Sequence, residues 1–433
     1  MISSAIHLFG TVIGAIAWDP DRELGIFEYD PGFLDSGVEV APLTLPLRAG
    51  RFSFPELAKP TFKGLPGLLA DSLPDKFGNL LIDQWLASRG RSAASFNPVE
   101  RLCYLGTRGM GALEFQPVLL PDRPPERLEL ESLLTLARDV LNARSRLQVK
   151  MKDPDRALAA ILRVGTSAGG ARAKAVISWH PDTGEIRSGQ VDPPEGFEPW
   201  LLKFDGVEGN ADKELADPVG FGRIEYAYHL MARAAGITMM DCRLLEENGR
   251  AHFMTRRFDR LPDGRKLHLQ SLCGMAHFDF NQAGAFSYEQ AFLTARQLNL
   301  PHPDQAELFR RAVFNIMGRN QDDHTKNLAF LMDRRGIWSL APAYDLAYAH
   351  NPDGLWTYRH QMTLAGKRDA FTPADLLQAG ASASLKPSQA KSIIRTVHAA
   401  VKRWPEFAAA AGVPPSVRDG IARELRVDLL PKT

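Results

Sequence analysis

The 433-residue chain lacks a net charge worth the name: 52 Lys and Arg stand against 51 Asp and Glu. No global positive field exists to hold a polyanion and no dense basic block replaces it, which argues against direct nucleic-acid binding. Cysteine is scarce. Cys103, Cys242 and Cys273 are odd in number and far apart, so neither a disulfide framework nor a zinc site fits, and a reducing cytoplasm is the natural setting. No apolar run approaches the roughly 20 uninterrupted residues of a spanning helix, so no membrane role is expected. The apolar stretch 7–18 has no basic leader and is broken by Gly10 and Gly14; a DPDRE turn then leads to a second β-like run, Leu24–Tyr29. This reads as a hairpin, not a signal peptide. Internal repeats and low-complexity tracts are missing too.

What is present is an ordinary globular composition, 45% hydrophobic and 24% charged, at a length that suits two or three domains. Residues 1–120 alternate short β-like runs with Pro/Gly turns around one helix at 76–89, announced by Ser72-Leu73-Pro74-Asp75, and predict a small α/β unit. The polar, proline-rich PDRPPERLELE at 121–131 predicts a connection, followed by helices at 128–142 and 155–162. From 164 to 258 the pattern is strand-rich, with strands at 173–179, 199–204 and 252–255 around a helix at 225–235. Beyond 259 helical spacing dominates: Leu308, Phe309, Ala312, Val313, Ile316 and Met317 share one face, and later helices start at Thr372-Pro373, Pro387 and Pro414-Pro415. The expectation is an α+β, two-lobed chain: a small N-terminal unit (1–120), the rest of a mixed N-terminal lobe (121–258) and a helical C-terminal lobe (259–433).

The densest chemistry lies in GRNQDDHTKNLAF, residues 318–330, which crowds two carboxylates, an imidazole, an ammonium and an amide into six positions. Such crowding survives desolvation only if it is solvated, capped or handling a charged ligand. The amphipathic helix ends near Gly318, so 320–327 predicts a loop. An alternating strand at 328–332, a tight turn at 333–336 and a returning strand at 337–340 then bring Tyr344 and Asp345 back beside it. Phosphoryl transfer needs a carboxylate that orients a hydroxyl and receives its proton, and oxygen ligands that hold Mg2+ on the phosphates. Asp322 suits the first role, and the Asn327 amide with the Asp345 carboxylate suits the second. Lys326 would neutralise charge on the transferred group; His324 either braces the loop or donates to a phosphate; Asp323 is a loop residue or a support behind the reacting groups. The ordinary alternative is a solvated Asx turn. One imidazole among hard oxygen donors does not make a transition-metal site.

A phosphate cradle would complete the set. In VGTSAGGARAKAVI, residues 164–177, Gly165, Gly169 and Gly170 allow close backbone approach, Ser167, Ala168 and Ala171 keep the surface low, and Arg172 and Lys174 add positive charge. The stretch is no Walker A loop, because a strand follows it; a loop between strands that covers phosphates is the protein-kinase arrangement, and a plain glycine-rich turn is the alternative. Downstream, EPWLLKFDG sets Lys203 in an apolar strand, either reaching solvent from an exposed face or gripping the α and β phosphates of ATP. Glu225, at the opening of the next helix, is either the acid that holds this lysine or a carboxylate favoured at a helix N-terminus.

With these pieces in order the chain resembles the HipA family of bacterial serine/threonine kinases, the toxins of type II toxin–antitoxin modules, whose fold is bilobal and protein-kinase-like. SAGGARAK (167–174), LLKF, IEYAYHLMARAAGI, RRFDR (256–260), DDHTKN (322–327) and APAYDL (341–346) carry the resemblance, and LFGTVIGAIAWD, FEYD and DSLPDKFG extend it to the N-terminal unit. It implies Asp322 as catalytic base and Asn327 and Asp345 as Mg2+ ligands. It also implies ATP contacts from Gly169, Gly170, Ala171, Arg172, Ala173, Lys174, Lys203, His324, Lys326 and Tyr344, and a hinge at Arg256, Arg257 and Phe258 that meets adenine through its backbone. The family commonly has Glu at the position of Arg256 and often Gln at that of Arg172. Ser167 matches the family's autophosphorylated serine, whose added charge would oppose nucleotide binding; a hydroxyl satisfying a turn is the plain alternative. The implied partners are a HipB-like helix-turn-helix antitoxin, which would make any DNA contact indirect, and a protein substrate such as an aminoacyl-tRNA synthetase or another translation protein. A non-catalytic ATP-binding corepressor, or a kinase acting on a small molecule or lipid, is the remaining alternative.

Overall fold

The computed structural model describes residues 2–119, 173–189, 193–206 and 219–431. The connection expected at 121–131, the helices expected at 128–142 and 155–162, and the glycine-rich loop through Arg172 lie outside the described residues. The chain divides into two compact units. The first comprises Met1–Val219, Leu245–Leu269 and Asp333–Gly336; the second comprises Gly220–Leu244, Gln270–Met332 and Ile337–Thr433.

Two five-stranded antiparallel sheets come first along the chain. One is built from β1 (Ser3–Leu8), β2 (Thr11–Asp19), β3 (Leu24–Tyr29), β4 (Arg51–Phe52) and β5 (Leu113–Gln116), in the order β4-β3-β2-β1-β5. The predicted hairpin is there: β2 pairs with β3 from Gly14↔Tyr29 to Asp19↔Leu24. Gly14 is required by that pairing, since a Cβ at this position would collide with the Glu28 carbonyl oxygen. The β1–β2 turn places both Phe9 (φ 54°) and Gly10 (φ 86°) at positive φ, the twist that a two-residue hairpin favours.

The second sheet follows the order β7-β6-β8-β10-β9, with β6 Lys174–Trp179, β7 Ile186–Ser188, β8 Glu198–Lys203, β9 Cys242–Glu247 and β10 Arg250–Arg256. Every residue of β6 is buried. The helix Lys76–Ser88 explains why. Asp75 caps it, its Oδ1 accepting from the Gly78 N–H at 2.6 Å. Its apolar face, Phe77, Leu81, Ile82 and Leu86, shares one core with Ala175, Ile177, Trp200 and Leu202. Burying each large side chain there contributes roughly 1.5–3 kcal/mol. The helix expected within the small N-terminal unit is thus a packing partner of the second sheet.

The second unit is mainly helical. In the helix His302–Met317 the predicted face is buried from Leu308 to Met317. Helices Pro373–Ser382, Pro387–Lys402 and Pro415–Glu424 each start on the predicted proline, whose missing N–H costs nothing in a first turn. Two details differ from expectation. The helix predicted to open at Glu225 spans Phe221–Ala234 and begins one turn earlier, at Gly220 (φ 100°), a cap with no side chain to mark it. The strand Ala329–Met332 is buried throughout instead of alternating, and it pairs with Trp338–Leu340 in the register Phe330↔Leu340. All three cysteines are free and buried. Among the described residues no helix is long and apolar enough to cross a membrane.

Candidate active site

Ser167, Gly169, Gly170, Ala171 and Arg172 lie outside the described residues. The structure places the remaining candidates in two groups, one in each unit.

In the first unit Ala173 is buried, its carbonyl accepting from the Phe204 N–H at 3.1 Å, and Lys174 and Lys203 face each other across β6 and β8. Two cations opposed in a sheet repel unless an anion intervenes. Asp75 supplies one: its Oδ2 lies 3.4 Å from Lys174 Nζ, with both side chains 3% exposed. Lys174 therefore does not project into solvent; it is drawn toward the cap of the helix Lys76–Ser88. Lys203 is 9% exposed, which overturns the reading of a strand lysine reaching solvent, and its Nζ lies 5.6 Å from the Phe253 ring centroid. At the end of β10, Arg256 lies 3.4 Å from Glu198, while the Arg257 backbone N–H donates to Pro199 O at 2.9 Å. The Arg257 side chain is buried against Asp259, which also accepts from Arg260 Nη1 at 2.8 Å and the Gly111 N–H at 2.6 Å. Burial alone would raise the Asp259 pKa; the two guanidiniums and these hydrogen bonds outweigh it and hold the carboxyl far below its ordinary value. RRFDR is thus a buried charge knot as well as a strand end. Phe258 is half-buried beside it.

In the second unit the loop after the helix His302–Met317 is present, and it closes in a single 3-10 turn at Thr325–Asn327. Asn327 Nδ2 donates to the Asp322 carbonyl at 2.8 Å, and the Asn327 N–H donates to His324 O at 2.9 Å. With its NH2 committed to the loop, the Asn327 amide presents its oxygen elsewhere, as a hard-cation ligand requires. The segment after the hairpin returns as predicted. The Tyr344 hydroxyl donates to Lys326 O at 2.6 Å, and the Asp345 carbonyl lies 3.5 Å from Asn320 Nδ2. Asp345 adopts φ 53°, a left-handed conformation that costs a non-glycine residue energy and concentrates at functional sites. Among the described residues no three His, Cys, Asp or Glu side chains converge as a metal cage.

Asp322 is oriented from outside the loop: the Trp356 indole N–H donates to its Oδ1 at 2.6 Å. His324 Nε2 lies 3.8 Å from the same oxygen, and the His324 ring centroid sits 5.3 Å from that of Phe280. Lys326 Nζ lies 5.2 Å from the Phe280 centroid. Asp323, taken from the sequence as a loop residue or a support behind the reacting groups, is the anchor. Its carboxylate accepts from Tyr288 Oη (2.7 Å), His360 Nδ1 (2.8 Å) and the Gln361 N–H (2.7 Å). Behind it Arg426 Nη1 lies 2.9 Å from His360 Nε2. A guanidinium only donates, so Nε2 accepts and the ring proton sits on Nδ1, facing Asp323. Burial pushes the Asp323 pKa up, but His360 and the hydrogen bonds from Tyr288 and Gln361 outweigh it and hold the carboxyl below its usual range. Glu225 lies one turn inside its helix and is 3% exposed, so the helix-terminus reading fails, because that dipole fades within the first turn. Trp356, His360 and Arg426 carry no motif in the sequence; only an aspartate doublet hinted that one carboxylate was structural.

Comparison with known proteins shows the family and the fold. The family model described as HipA-like C-terminal domain matches residues 166–404, and the one described as HipA N-terminal domain matches residues 4–116. A protein named "Putative kinase Y4mE" from Sinorhizobium fredii (strain NBRC 101917 / NGR234) is 25% identical over 361 residues, covering 78% of this chain and 75% of its own. Among solved structures, HipA of Shewanella oneidensis MR-1, determined with HipB and its operator DNA, matches with a TM-score of 0.68 at 18% identity, covering 99% of this chain and 96% of that one. At that identity the match shows the fold, a mixed α/β, bilobal kinase-like architecture. With one model spanning more than half of its length and the other most of the remainder before it, the chain belongs to the HipA family.

Proposed function

We propose that this protein is an ATP-dependent kinase that transfers the γ-phosphoryl group to a serine or threonine hydroxyl of a protein. The observation that supports this reading best is the loop at 320–327. It holds Asp322 by an external donor on Oδ1 and turns the Asn327 amide by a bond to the Asp322 carbonyl, while Tyr344 ties the following segment to Lys326. In this reading the second oxygen of Asp322 orients the acceptor hydroxyl and takes its proton. Asn327 and Asp345 hold Mg2+, which, when bound, screens the phosphate charge. Lys326 and Lys203 neutralise the negative charge of the phosphates. Arg256–Phe258 receives adenine through main-chain groups other than the Arg257 N–H, which is committed to Pro199. The glycine-rich stretch ahead of β6, Gly169–Arg172, covers the phosphates, the expected contact from Lys174 being set aside because Asp75 holds that side chain in the core, and Ser167 is a site of self-phosphorylation that shuts off nucleotide binding.

The name of the putative kinase relative supports the phosphotransferase reading, and that of the HipA–HipB complex supports a HipB-like antitoxin as partner in a toxin–antitoxin pair. A translation protein such as an aminoacyl-tRNA synthetase is the acceptor class we propose, in a cytoplasmic setting that suits three free thiols. The test is incubation of wild-type protein and Asp322→Ala with lysate, radiolabelled ATP and Mg2+. One discrete polypeptide labelled by the wild type alone is the expected result; equal labelling by both proteins removes Asp322 from the chemistry.

A further inference from the structure

Trp356 lies outside every motif that the function uses, yet its indole N–H sits 2.6 Å from Oδ1 of Asp322. The contact is not a by-product of core packing. Trp356 is half-buried, and the preceding residue, Leu355, is 90% exposed, so apolar burial does not hold this segment down. Polar bonds hold it instead. Gln361 Nε2 donates to the Trp356 carbonyl at 2.5 Å and approaches Gln321 O at 3.3 Å, while the Gln361 N–H donates to Asp323 at 2.7 Å. Gln361 thus clamps the segment carrying the indole to both neighbours of Asp322, and the indole closes the ring on Asp322 itself.

We infer that Trp356 is a positioning residue for the carboxylate at 322, an inference that rests on the proposed role of Asp322. An indole N–H donates and cannot accept, so it neither removes a proton from the acceptor nor delivers one. Its effect is geometric. With Oδ1 held by a fixed donor, rotation of the carboxylate is restrained, and the orientation it offers an incoming hydroxyl is set. Misplacing a reacting group by about 1 Å costs on the order of 100-fold in rate.

Trp356→Phe keeps a ring and deletes the N–H. The expected result is a kcat for phosphate transfer lowered by about 10- to 100-fold, with the KM for ATP, the affinity for a fluorescent ATP analogue and the melting temperature close to wild type. A wild-type kcat overturns the inference, as does a loss of ATP affinity or of melting temperature that accounts for the fall. Asp322→Asn run in parallel separates the two readings: if it still transfers phosphate, the base assignment fails and this inference with it. If it is inactive while Trp356→Phe is fully active, the inference alone fails. A second measurement does not depend on turnover or on the folding of the Phe variant. In 15N-labelled protein, one indole N–H resonance should move in Asp322→Asn; if none of the seven tryptophans responds, the bond does not exist in solution.

Discussion

At the scale of single residues, the aspartate doublet shows how chemistry is divided between neighbours. Asp322 is partly exposed and accepts from the Trp356 indole, whereas Asp323 is fully enclosed and accepts from the Tyr288 and His360 side chains and the Gln361 backbone N–H. A reactive carboxylate needs access; a structural one needs saturation. Asp323→Asn should cost about 2–4 kcal/mol, since charge-assisted bonds in a closed site each contribute roughly 1.5–3 kcal/mol and an amide keeps only some of them. Urea unfolding followed by fluorescence checks the figure, and kcat should fall with it as the loop loosens. The sign of the pH dependence follows from the depressed pKa of Asp323. Its contribution is fully present above the unfolded carboxyl value, about 3.9, and is lost as pH falls through the lower folded value. Asp323→Asn should therefore be less sensitive than wild type in the acid range below about pH 4, measured as unfolding free energy against pH.

Elements bring these residues together. The loop at 320–327 is suspended between the helix His302–Met317, whose buried face fixes where the chain leaves Gly318, and the hairpin Ala329–Met332/Trp338–Leu340, which returns it to Tyr344. In the first unit the helix Lys76–Ser88 does comparable work from its N-terminus, since Asp75 both caps it and neutralises Lys174 opposite Lys203. Removing one partner of a buried pair leaves an uncompensated charge, typically worth 3–5 kcal/mol. Asp75→Asn should lower stability by about that amount, read from the urea midpoint, and Asp75→Asn combined with Lys174→Met should recover much of the loss because both charges are then gone. Equal destabilisation by the single and double variants would show that the unpaired Lys174 charge does not carry the loss, since Asn keeps the cap.

For the whole molecule, the near-balance of 52 basic and 51 acidic residues predicts weak contact with DNA. In a mobility-shift assay at about 0.15 M salt, where charges are screened beyond roughly 8 Å, the chain alone should not retard an operator fragment. A co-expressed helix-turn-helix partner should bring it into a slower complex than the partner forms alone. Retardation of DNA by the isolated chain would contradict indirect recruitment. The family membership and the kinase-like architecture hold at this scale, independently of which acceptor the protein modifies.

The sequence by itself determined the hairpin at the N-terminus, the apolar face of His302–Met317, the proline-marked helix starts and the loop bearing Asp322 and Asn327. All of these depend on interactions between residues a few positions apart, where periodicity, caps and turn residues leave a readable record. It did not determine that Lys174 would be buried against Asp75, 99 positions away, or that Trp356, His360 and Arg426 would stand around the aspartate doublet. Nor could it show that Glu225 begins a turn too late to act as a terminal charge, because a glycine cap leaves no side-chain signal. Those assignments are long-range pairings of polar groups. A hydrogen bond or an ion pair has no period along the chain, so only the folded backbone decides which donor meets which acceptor.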